Sequence, residues 1–287
     1  MTDAATPQYV LQLRCPDRRG ILATVTPALT AAGCDIREAA VYGDPETGSF
    51  FIRMHVASPE MSKTTLEKSF APVASGFSLD AKFYDLNRKM RVLIAVSKFD
   101  HCLVDLIHKC KIGALPIDIV GVMSNHRDLE AMVSWHGIPF HHLPITKETK
   151  PEQEAAFLNL VDETGAELIA LARYMQILSD DLSNKLKGRC INIHHSFLPS
   201  FKGARPYHQA HERGVKIIGA TAHYVTADLD EGPIIEQEVR RVTHATTAEE
   251  MVEIGREVEA SVFSRAIKWH AEHRVFLNGK KTVVLQR

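Results

Sequence analysis

Residues 190–203 read CINIHHSFLPSFKG. The mostly apolar start, 190–193, is typical of a buried strand, and the residues after it predict a long loop. Side chains two positions apart on a strand point to the same side, so Asn192 and His194 are expected to face one direction. Open α/β folds bind their ligands beyond the carboxyl ends of parallel strands. The stretch therefore predicts a ligand site at one edge of such a sheet.

The segments around this stretch alternate between strand-like and helix-like patterns. Residues 91–96 and 117–123 are nearly continuous apolar runs, typical of strands buried on both faces. Further strands are predicted at 138–142, 167–170, 190–193, 217–226 and 234–242, and helices at 100–111, 127–136, 151–164, 180–187 and around Met251 to Val262. This alternation predicts a Rossmann-like α/β domain over residues 90–287 with a mostly parallel, doubly wound sheet.

A carboxylate follows the strand-end pair at a distance along the chain. Asp230 lies 36 positions after His194, in the loop Asp230-Glu231-Gly232-Pro233. An Asn amide can donate to a developing oxyanion, a His can supply a proton, and an Asp can orient the His or accept a proton. Asn192, His194 and Asp230 are therefore candidate catalytic residues for attack on a carbonyl group. The alternative for Asp230 is that it only shapes the turn.

The first 86 residues have a different pattern. Alternating apolar residues predict strands that start near Tyr9, on both sides of a turn at 43–48, and at 79–84. Helical spacing of apolar residues predicts one helix after Gly20 and another around Leu66 to Phe77. The order β-α-β-β-α-β predicts a ferredoxin-like unit over residues 1–86, with both helices on one face of an antiparallel sheet. A short polar junction, 85–89, precedes the second domain.

Composition limits the classes of partner. Thirty-four Lys and Arg against 35 Asp and Glu give a net charge of −1, which removes the general electrostatic case for nucleic acid or an anionic membrane. No apolar stretch approaches the roughly 18 residues of a membrane span, and the N-terminus lacks a secretory pattern. The five cysteines are scattered and form no C-x-x-C pair. A soluble cytoplasmic protein is expected.

The 15 histidines include pairs that raise the question of metal binding. His141-His142 and His194-His195 are adjacent, and adjacent side chains on a strand face opposite ways. His211-Glu212 lacks the remainder of an H-E-x-x-H motif. No metal and no other cofactor is therefore expected.

The N-terminal unit resembles an ACT domain, through its element order and the stretch Asp17-Arg18-Arg19-Gly20-Ile21-Leu22 at its first strand-to-helix junction. The resemblance implies pairing between copies, so a homo-oligomer, a dimer or tetramer, is expected. It also implies an amino-acid effector site at Asp17, Arg18, Gly20 and Ile21. Free N–H groups at a helix N-terminus favour a carboxylate there. The alternative is a capped helix beside a solvated pair of arginines.

Residues 90–287 resemble the formyltransferase fold of folate enzymes. The shared motifs are Asn192-Ile193-His194, the following Leu198-Pro199-Ser200-Phe201-Lys202-Gly203, and Asp230 beside Gly232. The resemblance implies that Asn192, His194 and Asp230 act on 10-formyltetrahydrofolate. The stretch 171–179 is similar to the loop that holds the pterin in that family. The folate-binding residues that the resemblance implies are Arg173, Met175, Ile177, Leu178 and Val225; the alternative is that these side chains belong to the core.

One departure from the transferases bears on the acceptor of the formyl group. Glycinamide ribonucleotide transferases cradle the substrate phosphate in a glycine-rich turn, whereas the matching residues 94–102 contain no glycine and include Phe99 and Asp100. An ACT-like domain ahead of this domain resembles the formyltetrahydrofolate deformylase family. That resemblance implies hydrolysis to tetrahydrofolate and formate, which supplies purine biosynthesis and balances the one-carbon pool. His195 is a candidate for ordering the water, or a hydrogen-bonded loop residue.

Two other functions remain open at the level of sequence. One is formyl transfer to an uncharged or unusual amine acceptor. The other is a non-catalytic amino-acid or folate sensor, against which the intact Asn192, His194 and Asp230 argue.

Overall fold

The computed structural model describes residues 6–58, 61–198 and 206–286. The chain divides into two compact units. The first comprises residues 1–89, 272–278 and 283–287, and the second comprises residues 90–271 and 279–282. Residues 199–205, which carry most of the predicted motif 198–203, lie outside the described part of the chain. In the described part, no helix combines the length and the apolar character needed to cross a membrane.

The first unit is built on a four-stranded antiparallel sheet with the order β2-β3-β1-β4. Its elements are β1 (Gln8–Pro16), α1 (Ile21–Ala31), β2 (Asp35–Asp44), β3 (Ser49–Ala57), α2 (Lys63–Gly76) and β4 (Asp80–Asp85). The predicted β-α-β-β-α-β order is confirmed. Alternation places Leu11, Leu13 and Met54 in one buried core with helix residues such as Val25 and Leu29, because every second strand residue faces the helices.

The opposite face of this sheet is covered by the C-terminal tail. The short strands β12 (Val275–Asn278) and β13 (Lys281–Val284) pair as a two-stranded sheet. Phe276 packs on fully buried Phe51, with the ring centroids 5.3 Å apart. Arg274 pairs with Glu38 at 3.0 Å, and Asn278 donates to Asp44 at 2.6 Å. The tail therefore shields apolar and charged groups that the sheet would otherwise expose.

The sequence-based bounds, 1–86 and 90–287, assign this tail to the second domain. In the structure residues 272–278 and 283–287 group with the first unit. The physical reason is that the apolar side chains of the tail find an apolar partner in Phe51, on the uncovered side of β3. Which residues form independently folding domains stays a prediction.

The second unit contains a seven-stranded sheet with the order β11-β10-β9-β8-β5-β6-β7. Its strands are β5 (Met90–Val96), β6 (Ile117–Ser124), β7 (Phe140–His142), β8 (Leu168–Leu171), β9 (Cys190–His194), β10 (Ile217–Tyr224) and β11 (Ile234–Arg241). Strands β5 to β9 pair in parallel, and β10 is antiparallel to both of its neighbours. The prediction of a mostly parallel sheet is confirmed.

Helices connect the strands of this sheet. They are α3 (His101–Lys111), α4 (Glu130–Trp135), α5 (Lys150–Thr164), α6 (Asp180–Lys185), α7 (Pro206–Glu212) and α8 (Ala248–Ala271). Val92, Leu93, Ile94 and Ala95 of β5 are all fully buried, as expected for a central strand covered on both faces. The carboxyl ends of β5, β8 and β9 lie side by side at one edge of the sheet. Asn192 and His194 lie at this end of β9.

Candidate active site

Strand β9 carries two of the predicted catalytic residues. Asn192 lies in register with Leu171, the last residue of β8, so both strands end at the same edge of the sheet. His194 is the last residue of β9, and its side chain is 15% exposed. The strand thus presents both polar side chains near solvent while Ile193 between them is buried.

Asp230 reaches the same edge from the loop that joins β10 and β11. Its backbone has a φ of 58°, in the left-handed region that Asp tolerates better than most residues. One carboxylate oxygen, Oδ2, lies 3.3 Å from Nδ1 of His194. Positive φ in a non-glycine residue is often found at functional sites. The loop conformation and the His194 contact together direct this carboxylate to the end of β9.

His223 lies between Asn192, the third predicted residue, and the pair formed by His194 and Asp230. It lies on β10 directly opposite Asn192 and is buried. Its Nε2 lies 3.3 Å from Nδ2 of Asn192 and 3.6 Å from Oδ1 of Asp230. The structure therefore brings all three predicted residues together, with His223 between Asn192 and Asp230.

The hydrogen bonds of His223 fix how the Asn192 amide is presented. His223 Nδ1 lies 2.9 Å from the carbonyl oxygen of Tyr224, which can only accept, so we assign the proton to Nδ1. In the neutral ring Nε2 then accepts from one hydrogen of the Asn192 amide. The second hydrogen of that amide is left to donate to a substrate oxygen.

Sequence analysis missed His223. Its position opposite Asn192 depends on the register between β9 and β10, and more than 20 residues separate the two strands along the chain. Residue spacing does not fix a register across a connection of that length. The one available signal was a histidine inside a predicted strand, which by itself indicates no partner.

The charge state of Asp230 follows from these neighbours. Burial alone would raise the pKa of the carboxyl group, but the hydrogen bond from His194 and the closeness of the two imidazoles, which favour the anion, hold the pKa of Asp230 well below its usual range. Asp230 is therefore an anion at neutral pH. An anion in this position can stabilise a charged His194 or attract a proton from water.

Gly232 allows the loop to carry Asp230 to this position. A Cβ atom at residue 232 would overlap the carbonyl oxygen of Tyr224 and would lie 3.3 Å from Nδ1 of His223. The neighbour that blocks it is backbone within a β-sheet, which cannot move aside cheaply. Only glycine fits between the Asp230 loop and β10.

We expect Gly232→Ala to lower the free energy of unfolding by about 1–3 kcal/mol, the range for inserting an atom into a packed site. Thermal unfolding of the purified variant measures the change. Gly76→Ala is the matched control, because a Cβ there meets nothing within 4 Å. Equal unfolding temperatures for the two variants would show that the loop accommodates the methyl group.

His195 does not face away from His194. The sequence-based argument that adjacent histidines point in opposite directions is wrong for this pair, because β9 ends at His194 and the alternation ends with it. The two rings stack with centroids 4.9 Å apart. Burial, and then the charges of Arg173 and His194, lower the pKa of His195 to about 4. His195 is thus neutral at physiological pH, and its role in ordering water stays a prediction.

The loop that follows His195 is held by two side chains of the sheet. Thr221 Oγ1 donates to the carbonyl oxygen of Ser196 at 3.0 Å and accepts from the amide of Leu198 at 3.1 Å. Gln237 Nε2 donates to Thr221 Oγ1 at 2.9 Å and to the carbonyl of Leu198 at 3.2 Å. These bonds fix the backbone direction immediately after the two histidines.

The five predicted folate-binding residues fall into three groups. Met175 and Ile177 are exposed, at 51% and 61%, after the end of β8. Leu178 and Val225 are half-buried and pack against the core of the second unit. The side chain of Arg173 is only 10% exposed and points to Glu259. The structure therefore leaves the first two available for an apolar ligand surface, and the assignment of all five stays a prediction.

A buried cluster that sequence analysis missed surrounds Glu259 of α8. Glu259 is 1% exposed and receives hydrogen bonds from Tyr207 and His101, both at 2.8 Å. Arg173 Nη1 lies 3.4 Å from the same carboxylate. The available signal was helical spacing: Glu259 follows Met251 by eight residues and so lies on the apolar face of the helix.

This cluster also contains the group of side chains that comes nearest to a metal site. The ligand atoms of His101, Cys102 and Glu259 lie within 4.8 Å of one another. Burial raises the pKa of the Cys102 thiol well above its usual range, which keeps it protonated. The Arg173 guanidinium already supplies a cation to Glu259. The arrangement is thus an ion-pair cluster, and no metal is assigned to it.

The predicted effector residues lie at the start of α1 in the first unit. Gly20 has a φ of 88° and precedes the helix, and Asp17 is exposed. Arg18 is not simply solvated, because its guanidinium lies 4.3 Å from the centroid of the Phe77 ring. Ile21 is buried in the core. A ligand would meet the backbone of Gly20 and Ile21 rather than the Ile21 side chain, and this site stays a prediction.

The fold and the cluster at the end of β9 define a class of protein: an ACT-like unit joined to an α/β unit with an amide, imidazoles and a carboxylate arranged for attack on a carbonyl group. Family models agree with this division. The formyl transferase model matches residues 90–267, and the ACT domain model matches residues 9–68.

Known proteins give a narrower assignment. The formyltetrahydrofolate deformylase of Corynebacterium sp. (strain P-1) is 51% identical over 282 residues, which cover 97% of this chain and 98% of that protein. The crystal structure of the formyltetrahydrofolate deformylase from Burkholderia mallei has a TM-score of 0.94 and 49% identity, and covers 98% of this chain and 100% of that one. The chain belongs to the formyltetrahydrofolate deformylase family.

A transformylase structure is similar to part of the chain. Glycinamide ribonucleotide transformylase 1 from Symbiobacterium toebii matches with a TM-score of 0.64 and 28% identity. The match covers 71% of this chain and 97% of that one. The shared fold thus includes nearly all of the transformylase and leaves more than a quarter of this chain unmatched.

Proposed function

We propose that the chain hydrolyses 10-formyltetrahydrofolate to tetrahydrofolate and formate. Membership of the deformylase family supports this function. The observation that carries it is the contact of the Asp230 carboxylate with Nδ1 of His194 at 3.3 Å, beside the Asn192 amide. These three groups supply a base, an acid and an oxyanion donor around one small volume.

Water attacks the carbon of the formyl group, and Asp230 accepts the proton that the water loses. Because its pKa is held well below the usual range, Asp230 is an anion that orients the water, and it takes up the proton as the C–O bond forms and the attacking water becomes strongly acidic. The carboxylate is 27% exposed, so a water molecule can reach it. The attack forms a new C–O bond and places a negative charge on the former carbonyl oxygen.

That oxyanion accepts hydrogen bonds from Asn192 and His194. His223 fixes the Asn192 amide so that one N–H remains for this oxygen. His194 uses Nδ1 toward Asp230, which leaves Nε2 as its substrate-facing atom. The intermediate then collapses: the bond from carbon to N10 breaks, N10 gains a proton from His194, and the product leaves as formic acid, which ionises to formate and releases its hydroxyl proton to solvent. Transfer of the water proton from Asp230 to His194 restores both groups.

The end of β5 supports water as the acceptor of the formyl group. Where the transferases resembled by this chain have a glycine-rich turn, helix α3 begins at His101 after Phe99 and Asp100. His101 is bonded to buried Glu259, and the Phe99 ring lies 5.2 Å from the Arg173 guanidinium. The side chains of this turn thus contact other residues of the protein, where the transferases hold a phosphate.

The purified protein, given 10-formyltetrahydrofolate and no amine, is expected to release formate and tetrahydrofolate in equal amounts. Formate is measured with a coupled formate dehydrogenase, and tetrahydrofolate by chromatography. The reaction without protein sets the background. Absence of formate from protein with native circular dichroism and cooperative unfolding would reject the proposed function.

A further inference from the structure

The strand order of the second unit predicts where a ligand crevice lies. The chain leaves β5 toward β6 and β7 on one side and then continues with β8 and β9 on the other. In open α/β sheets this reversal of direction separates the connections beyond the strand ends and creates a ligand crevice there. The crevice is expected outside the carboxyl ends of β5 and β8, next to the end of β9.

Side chains of the protein itself occupy this place. Phe99 and His101 follow β5, and Arg173 follows β8. Glu259, from α8, joins them: His101 Nε2 lies 2.8 Å and Arg173 Nη1 3.4 Å from its carboxylate. The Phe99 ring covers the guanidinium at 5.2 Å. We call these four residues the crevice cluster.

The crevice cluster adjoins the reacting groups through His195. The ring of His195 stacks on that of His194, at 4.9 Å between centroids. Arg173 and Glu259 also lie near enough to His195 for their charges to shift its pKa, in opposite directions and after the larger effect of burial. A molecule lying in the crevice would thus be next to the site of attack on the formyl group.

Arg173 is held in the cluster at an energetic cost. Its φ is 62°, a conformation that costs a non-glycine residue about 1–3 kcal/mol. Its Nε and Nη1 atoms are buried and make no hydrogen bond among residues 6–58, 61–198 and 206–286, although Nη1 forms the ion pair with Glu259. The backbone is fixed by Ser97, whose amide donates to the Arg173 carbonyl at 3.3 Å. Stability alone gives no reason for this arrangement.

We propose that the crevice cluster determines acceptor specificity: it fills the space that an organic acceptor would need, and so leaves water as the only nucleophile that reaches the formyl carbon. This inference rests on the proposed hydrolase function. Removing the side chain of Phe99 or of Arg173 should therefore admit a small primary amine.

The probe is glycinamide, offered at high concentration with 10-formyltetrahydrofolate. Its amine nitrogen attacks the formyl carbon, the bond from carbon to N10 breaks, and the amine proton passes to N10; no oxidant or reductant is required. Mass spectrometry measures N-formylglycinamide, and the coupled assay measures formate. The ratio of the two products is the readout, because it does not depend on the overall rate of a variant.

In the wild-type protein formate is the only enzymatic product. In Arg173→Gly, which also suits the positive φ, and in Phe99→Ala, the ratio of N-formylglycinamide to formate rises on the order of tenfold or more above the uncatalysed background. Phe99 is 40% exposed and carries no charge, so its replacement leaves no buried charge unpaired. The Phe99→Ala variant therefore tests the proposal even where Arg173→Gly fails to fold. Ser78→Gly, at a φ of 50° in the first unit, is the matched control and behaves as the wild type.

An unchanged ratio in folded Phe99→Ala and in every folded Arg173 variant overturns this inference and leaves the hydrolase function intact. Formyl transfer to glycinamide by the wild-type protein overturns it too. Absence of formate from the wild-type protein without amine is a different outcome, because it rejects the proposed function itself.

Discussion

Asp230→Asn is expected to fold like the wild-type protein and to release formate about 10³-fold more slowly, within the usual contribution of a positioned acid or base. The amide has nearly the shape of the carboxylate, so the loop that Gly232 allows keeps its path. It carries no negative charge, however, and accepts no proton from water. The substitution also removes the negative charge that lies 3.3 Å from His194 Nδ1 and stabilises the charged form of that ring. Steady-state formate release measures the loss.

Asp228→Asn is the matched control for this variant. Asp228 is exposed and lies two residues away in the same loop, so the change in net charge is the same. We expect its formate release to equal that of the wild-type protein. Full activity in folded Asp230→Asn would show that the carboxylate takes no part in the chemistry.

The second large effect is expected from Asn192→Ala. Loss of one oxyanion donor typically lowers turnover by about 10²–10³-fold. Because the donor acts on charge that develops during attack, kcat should fall while KM changes little. Asn192→Asp keeps the shape but removes both N–H donors and adds a charge that repels the oxyanion, so its loss should be larger. The KM and kcat of both variants are measured by formate release.

Asn184→Ala provides the comparison for Asn192. Asn184 is exposed on α6, and its replacement removes the same amide without touching the end of β9. A fall in kcat for Asn192→Ala no larger than that of Asn184→Ala would remove Asn192 from the reaction. A rise in KM with unchanged kcat would assign it to substrate binding instead.

The sequence was sufficient for the fold and for much of the candidate site. The apolar runs at 91–96 and 117–123 predicted buried parallel strands because only strands covered on both faces lack polar positions. Asn192 and His194 were expected to share one direction because alternation on a strand is local. Asp230 was found through its motif, and the structure explains its position by its φ of 58° and by Gly232.

Contacts that join distant parts of the chain could not be predicted. His223 meets Asn192 only through a strand register, and Glu259 meets Arg173 across 86 positions of sequence. The tail around Phe276 packs on Phe51 because both are apolar, but the sequence offers many apolar candidates for each. Such partners depend on how whole elements pack, which residue spacing does not determine.

The stacking of His194 and His195 shows where a local rule fails. Alternation of side chains holds inside a strand, and β9 ends at His194. The backbone after it turns, held by Thr221 and Gln237, and brings the second ring beside the first. Rules for regular elements are least reliable at strand ends, which is where α/β folds place their ligands.

Water is the acceptor of the formyl group in the proposed reaction, and no other nucleophile replaces it. The most direct measurement gives the purified protein 10-formyltetrahydrofolate together with glycinamide ribonucleotide and follows both products. We predict formate at the same rate as without the ribonucleotide, and no formylated ribonucleotide. Formylation of the ribonucleotide, together with no formate release when the ribonucleotide is omitted, would show that an organic amine and not water is the acceptor.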